Sequence, residues 1–334
     1  MKKVLIVGGK GGTHVGDAFF TAAIKLNLEA EHVDSGEAFK SFILKRKFYW
    51  KFLKHTPPKL KEFSAKVENK AGTWKPDFVL STGLAPLTAE TLEQMRLWGI
   101  QTFNYLTDDP WNASHQAPWF FMSLPCYAKI YTPRFSNIQD LKNLGCKSVE
   151  YLPFGYSPNL FFKDESVSGS ELTEYTSDVL FAGGADSDRI PYMKALADAG
   201  FRLRLYGDFW GKYKETKKYY FGYADCRTLR AAIQATKIAL CLVRRPNRDG
   251  NSMRTFEIPA VGACMLVEDT QEHRNIFGDE GEAALYFNSI DDMVTKAAYL
   301  LKNPSERQRL SASSHKKITN GKNTYQDRLQ TMLS

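Results

Sequence analysis

Lys3-Val4-Leu5-Ile6-Val7-Gly8-Gly9-Lys10-Gly11-Gly12 is a short apolar run that breaks into glycines, and the pattern returns at Asp178-Val179-Leu180-Phe181-Ala182-Gly183-Gly184. The apolar stretch Val4 to Val7 is too short for a secretory leader and reads as a buried strand. A helix is expected after each glycine turn, over about 16–27 and 190–199, and a strand over 202–206 follows the second. Strand, glycine turn, helix, strand is the grammar of a parallel βαβ unit, and here it begins twice. Further strands are expected at 78–80, 101–106, 129–131 and 149–151, then at 238–242 and 263–267. Asp164 to Ser177 is rich in Ser, Glu and Thr and poor in large apolar residues, which suits a linker. The expected class is α/β, with two doubly wound, Rossmann-like parallel-sheet domains facing across a cleft. The first is assigned to 1–160, a linker to 161–176 and the second to 177–334, which leaves the last helix room to pack back on the first. In open parallel sheets, ligands bind beyond the carboxyl ends of the strands, so the loops that follow the strands are where chemistry is sought.

The 334 residues are 43% hydrophobic and 25% charged, a globular balance that excludes disordered, collagen-like and disulfide-scaffold proteins. No apolar run reaches the length of a spanning helix, roughly 18–20 residues. Five scattered cysteines without a C-x-x-C pair suggest neither a disulfide framework nor a zinc site, and a cytoplasmic location is expected. The net charge of +8 first suggests nucleic acid or a membrane surface. Lys40 to Lys70, however, holds ten basic residues against Glu62 and Glu68, which is the whole excess. Nucleic acid is therefore not the expected partner. On helical spacing Lys47, Lys51 and Lys54 share a face, while Phe48, Tyr49, Phe52 and Leu53 lie mostly elsewhere. Such a helix either lies on an anionic membrane or anionic acceptor, or is a solvated face whose aromatics pack inward.

Three clusters are candidates for chemistry. Gly8 to His14 fits neither G-x-G-x-x-G nor the phosphate-loop NTPase pattern, but it leaves backbone N–H groups at a helix start, suited to an anion. Gly12 and His14 are its candidates, against a plain strand-to-helix turn. Asp108-Asp109-Pro110 offers paired carboxylates for base chemistry, or merely a turn. Arg244 to Glu257 is densest: four arginines, Asn247, Asn251, Asp249 and Ser252 follow a strand. Guanidinium groups grip phosphate oxygens bidentately, so the loop reads as a diphosphate grip with Glu257 set to accept from a ribose diol. The structural alternative is a solvated basic loop with Glu257 in a salt bridge.

Arg254, Phe256, Glu257, Ala260 and Gly262 resemble the R-x-F-E-x-x-A-x-G core of the CgeB-like group within the retaining GT-B glycosyltransferases. Gly11 to His14, Thr107 to Pro110, Leu152 to Phe161, Phe221-Gly222-Tyr223, and Phe277 to Glu282 with the helix after it resemble further family segments in order. The resemblance implies that Glu257 binds the ribose, that Arg254 and Arg189 neutralise the leaving diphosphate, and that Asp249 contacts the transferred sugar. Asp249 is one carbon shorter than the usual Glu, and the family's Lys partner has no clear counterpart near Arg189. Gly184, Gly222, Tyr223, Asn251 and Ser252 complete the implied nucleotide-sugar site. Gly12, His14, Asp108 and Asp109 fall on the acceptor side, where Asp108 stands in place of a His and either His14 or Asp109 is the base.

No metal is implied, and no cofactor beyond a nucleoside-diphosphate sugar as co-substrate. The acceptor is expected to be a saccharide, a small molecule or a lipid-linked molecule. The competing readings are an NAD-dependent oxidoreductase or epimerase-like enzyme, and a non-catalytic protein on a degenerate transferase fold.

Overall fold

Val4 to Val7 have no exposed surface, as an apolar run covered on both faces of a parallel sheet requires. In the computed structural model, which describes residues 2–334, they form β1 (Lys3–Gly8). The chain divides into two compact units: residues 1–153 with 246–249 and 325–334, and residues 154–245 with 250–324.

In the first unit β1 leads through α1 (Val15–Lys25) to β2 (Glu29–Asp34), α2 (Ile43–Phe52) and α3 (Leu60–Trp74). β3 (Phe78–Thr82), α4 (Ala89–Leu97), β4 (Gln101–Tyr105), α5 (Pro118–Ser123), β5 (Lys129–Thr132), α6 (Phe135–Asn143) and β6 (Val149–Tyr151) follow. The six strands are parallel in the order β2-β1-β3-β4-β5-β6. The order reverses at β1, so the loops after β1 and β3 border the switch point where ligands bind in such sheets. Gly8 is needed there. A Cβ on it would lie 2.3 Å from Thr82 Oγ1 and 2.9 Å from Gly16 Cα, so only glycine lets the strand end approach its helix. The core beneath includes Leu5, Val7, Phe63, Val67, Leu92, Met95, Phe120 and Leu141.

The second unit holds α7 (Gly169–Tyr175), β7 (Ser177–Ala182), α8 (Ile190–Asp198), β8 (Leu203–Tyr206), α9 (Cys226–Ala235) and β9 (Thr236–Cys241). It continues with α10 (Met253–Val261), β10 (Met265–Glu268), α11 (Gln271–Phe277), β11 (Leu285–Phe287), α12 (Ile290–Lys302) and α13 (Pro304–Asn320). Its five parallel strands run β11-β10-β9-β7-β8. Here the reversal falls between β7 and β9, the strands that carry the Gly183-Gly184 turn and the arginine-rich loop. The stretch 161–176 carries α7, and Asp164 accepts from Arg230 Nη2 at 2.7 Å and Nε at 3.2 Å. The last helix, α14 (Tyr325–Leu333), belongs to the first unit: Tyr325 meets Phe19 of α1 edge-on at 5.3 Å, and Arg328 Nε donates to Pro153 O at 2.9 Å.

Candidate functional site

At the switch point of the second unit, two guanidinium groups are fixed on the turn after β7. Arg189 Nη1 donates to Gly184 O at 3.1 Å, and Arg254 Nε donates to Ala182 O at 3.3 Å. Each keeps part of its surface open, 11% for the Arg189 side chain and 23% for Arg254. Arg254 sits in the first turn of α10 because Ser252 caps that helix in extended conformation, its N–H donating to Thr255 Oγ1 at 3.0 Å. The Thr255 hydroxyl in turn meets His273 Nε2 at 2.9 Å, and His273 Nδ1 meets Glu268 O at 2.8 Å. A carbonyl only accepts, so Nδ1 carries the proton and Nε2 accepts from Thr255. Burial pushes the His273 pKa down to about 4, which keeps the ring neutral and this chain intact.

One turn on, Glu257 is buried and its carboxylate pairs with Arg254 Nη1. Gly262 ends the helix with φ 90°, and Ala260 is buried, so the E-x-x-A-x-G spacing also builds a short helix with a clean stop. Arg245 is held by Glu268 at 3.1 Å and by the Tyr192 hydroxyl, while Glu268 also accepts the Val243 N–H at 3.0 Å. Arg244, half-buried at the same loop, has no ion-pair partner among the described residues.

Residues 246–249 belong to the first unit. Arg248 gives Nε to Asp109 Oδ2 at 2.5 Å, Nη2 to Asp109 Oδ1 at 3.0 Å and Nη1 to Asp140 at 2.7 Å. Asp109 Oδ1 also accepts from Asn137 Nδ2 at 2.9 Å and from the Trp111 N–H at 3.0 Å. Asp249 faces the buried Arg134, with Nε to Oδ1 at 2.5 Å, and Arg134 Nη2 donates to Thr107 O at 2.8 Å. Asn247 gives Nδ2 to Asp108 Oδ1 at 3.1 Å, and its Oδ1 lies 2.6 Å from Asn112 Nδ2 and 3.2 Å from His115 Nε2. Asp108 and His115 remain half-buried, with 4.0 Å between Oδ1 and Nε2. His14 is exposed at the start of α1, after Gly11 and Gly12 in left-handed conformation.

Comparison with known proteins shows what the chain is similar to. A family model described as glycosyl transferase-like matches residues 189–334. The spore protein CgeB of Bacillus subtilis (strain 168) is 23% identical over 271 residues, covering 74% of this chain and 79% of CgeB. Sucrose-phosphate synthase from Thermosynechococcus elongatus has the same fold, with a TM-score of 0.71 at 11% identity over 100% of this chain and 98% of its own. The chain has the GT-B fold, and its residues 189–334 are glycosyl transferase-like. Anabaena HepE, solved in complex with UDP-glucose, matches with a TM-score of 0.68 at 10% identity, over 100% of this chain and 99% of that one.

Within this fold the arginine-rich loop is not one continuous grip, which corrects the expectation from sequence. Arg248 is spent on Asp109 and Asp140, residues 139 and 108 positions away that no local pattern could pair with it. Asp109 is fully buried under four donated hydrogen bonds, so it is not an available base. Asn251 is buried and accepts the Phe154 N–H at 3.3 Å, which ties down the start of the second unit rather than facing solvent. Gly222 has φ 86° and accepts the Gly207 N–H at 3.1 Å, and Tyr223 beside it is 76% exposed. Arg134, His115 and His273 carry no sequence motif; only the fold reveals their partners.

Proposed function

We propose that the enzyme transfers a sugar from a nucleoside-diphosphate sugar to a hydroxyl acceptor, with retention at the anomeric carbon and without a metal ion. The observation that supports this most is the pair Arg189 and Arg254, anchored on opposite ends of one glycine turn at the switch point of the second sheet. Bond breaking at the anomeric carbon places growing negative charge on the departing diphosphate. Fixed guanidinium groups, with the N-terminal N–H groups of α10, stabilise that charge without reorganising. Arg244 is within the same loop set and adds a further cation. Glu257, held by Arg254, is assigned to the ribose hydroxyls, and Gly222 with Tyr223 to the edge of the base. HepE, of the same fold, was solved with UDP-glucose, which accords with such a donor.

On the acceptor side, Asp108, His14 and His115 retain solvent access and are the groups assigned to the acceptor hydroxyl. Asp109 and Asp249 are assigned to holding the 246–249 loop through Arg248 and Arg134.

A thermal-shift panel of UDP, GDP, dTDP, ADP and NAD tests the reading. Stabilisation by a nucleoside diphosphate is expected, and Arg254→Ala should weaken that binding by about tenfold to a hundredfold, the cost of losing a hydrogen bond to a charged group. Stabilisation by NAD alone would sink the proposal in favour of an oxidoreductase, and stabilisation by none of the five would favour a non-catalytic role. Glu257→Ala with unchanged affinity would remove the ribose assignment.

A further inference from the structure

Residues 40–54, Lys-Ser-Phe-Ile-Leu-Lys-Arg-Lys-Phe-Tyr-Trp-Lys-Phe-Leu-Lys, contain six basic residues and no acidic one. None of these six has an ion-pair partner among the described residues. The contrast with the neighbouring lysines is direct: Lys59 pairs with Glu62 at 3.5 Å, Lys66 with Glu37 at 2.5 Å and Lys70 with Glu31. The same stretch leaves its apolar side chains in water. Phe42 is 88% exposed, Leu44 82%, Phe52 63% and Ile43 62%, and no residue of α2 is buried. Phe48 and Phe52 therefore do not pack inward, against one of the two readings open from sequence, although Tyr49 is half-buried.

The helix has two unlike faces. Leu44, Phe48 and Phe52 recur every four residues and so form one stripe, with the Phe48 and Phe52 rings 5.2 Å apart. Lys51 Nζ lies 5.6 Å from the centre of the Phe52 ring and Lys45 Nζ 5.6 Å from that of Tyr49, so cations border the stripe. The other face looks onto a hollow of about 780 Å³ lined by Phe39, Arg46, Lys47, Trp50, Lys51 and His55. The helix is pinned just past its end, where Lys54 and His55 are left-handed, His55 Nδ1 meets Gln116 O at 2.8 Å and Trp119 Nε1 donates to His55 O at 3.4 Å.

We propose that α2 is an interfacial helix by which the first unit docks on an anionic phospholipid surface. The Leu44-Phe48-Phe52 stripe enters the acyl boundary, and the basic residues around it and in the hollow meet headgroup phosphates. An exposed apolar stripe ringed by lysine and arginine is what such a surface rewards on both counts. A second copy of the chain is disfavoured, because a self-complementary contact would bring six like charges against six. Nucleic acid gives no use for exposed Ile43, Leu44 and Leu53. No helix among the described residues is long and apolar enough to cross a membrane, so the contact is with one face of it.

The test is co-sedimentation of the whole chain with phosphatidylcholine vesicles, alone or mixed with an equal part of phosphatidylglycerol. Pelleting is expected with the mixed vesicles only, falling as salt rises. Lys47→Gln and Lys51→Gln should each weaken the partition by about fivefold. Leu44→Asp with Phe48→Asp should abolish it even at low salt, with an unchanged melting temperature, since both side chains are already exposed. The proposal fails if mixed vesicles leave the protein in the supernatant, or if the double aspartate variant pellets like the parent, which would mean charge adhesion without insertion. It fails equally if the double aspartate variant changes only the sedimentation coefficient of the free protein, the mark of a contact between copies. Binding to single-stranded DNA without binding to vesicles would also overturn it.

Discussion

Two stretches of this chain look alike as text: Arg244 to Arg254 and Lys40 to Lys54 are both dense in positive charge. In the folded protein they behave oppositely, Arg244 apart. Arg245 is held by Glu268, Arg248 by Asp109 and Asp140, and Arg254 by Glu257. The six basic residues of 40–54 have no carboxylate within ion-pair distance among the described residues. Pairing fixes a guanidinium in one place and one direction, which is what a site aimed at a developing charge needs. Unpaired ammonium groups on flexible stems hold no geometry but add up to a field, which is what a surface needs. Charge density alone therefore does not distinguish a site from a docking face; the presence of partners does.

The comparison is strained hardest at Asp249. Its partner Arg134 is 1% exposed and its own side chain 8%. Asp249→Ala would leave a buried guanidinium without its counter-charge, an arrangement that costs about 3–5 kcal/mol. Urea unfolding followed by a probe of the first unit should show that loss. A change below about 1 kcal/mol, the size typical of an exposed pair, would mean that this part of the loop is as loosely held as α2, and the contrast would collapse.

A middle-sized effect comes from the support beneath Arg254. Neutral His273 accepts from Thr255, which accepts from the Ser252 N–H, so protonation would set two donors against each other at the start of α10. The folded pKa of about 4 lies below the ordinary 6.5. Between those values the unfolded chain binds the extra proton, so stability from this group is full above pH 6.5 and is lost as pH falls toward 4. The whole span is worth about 3 kcal/mol at most. His273→Gln should flatten this limb of the stability–pH profile, whatever it costs at neutral pH. An unchanged slope would free α10 from His273, and the arginine stretch would lose one of its anchors.

What could be read from sequence follows the same division. Apolar runs ending in glycine mark β1 and β7 because burial on both faces and a tight strand-to-helix turn leave a local trace. β2, Glu-Ala-Glu-His-Val-Asp, leaves no such trace because an edge strand needs no continuous apolar run. β11 is only three residues long. In the site, Arg254 and Glu257 are legible because they are three apart on one helix. Arg134 with Asp249 and Arg248 with Asp109 are separated by 115 and 139 positions, so only the fold puts them together. For the same reason the arginine loop reads locally as one unit, although residues 246–249 belong to the first unit and their neighbours to the second.

The smallest expected change is the most discriminating one for α2. If its cations are a field and not an anchor, replacing Lys45, Lys47 and Lys51 by glutamine should move the unfolding free energy by no more than about 0.5 kcal/mol, the ordinary range for surface substitutions that break no partner. Removing mutual repulsion among close like charges on one helix would even favour a slight gain. A loss of several kcal/mol, set beside the figure for Asp249→Ala, would show that these lysines are structural after all and that exposure had misled. A near-zero change places the cost of keeping six cations and a hydrophobic stripe in water outside folding, so that whatever maintains them must act through what the helix touches.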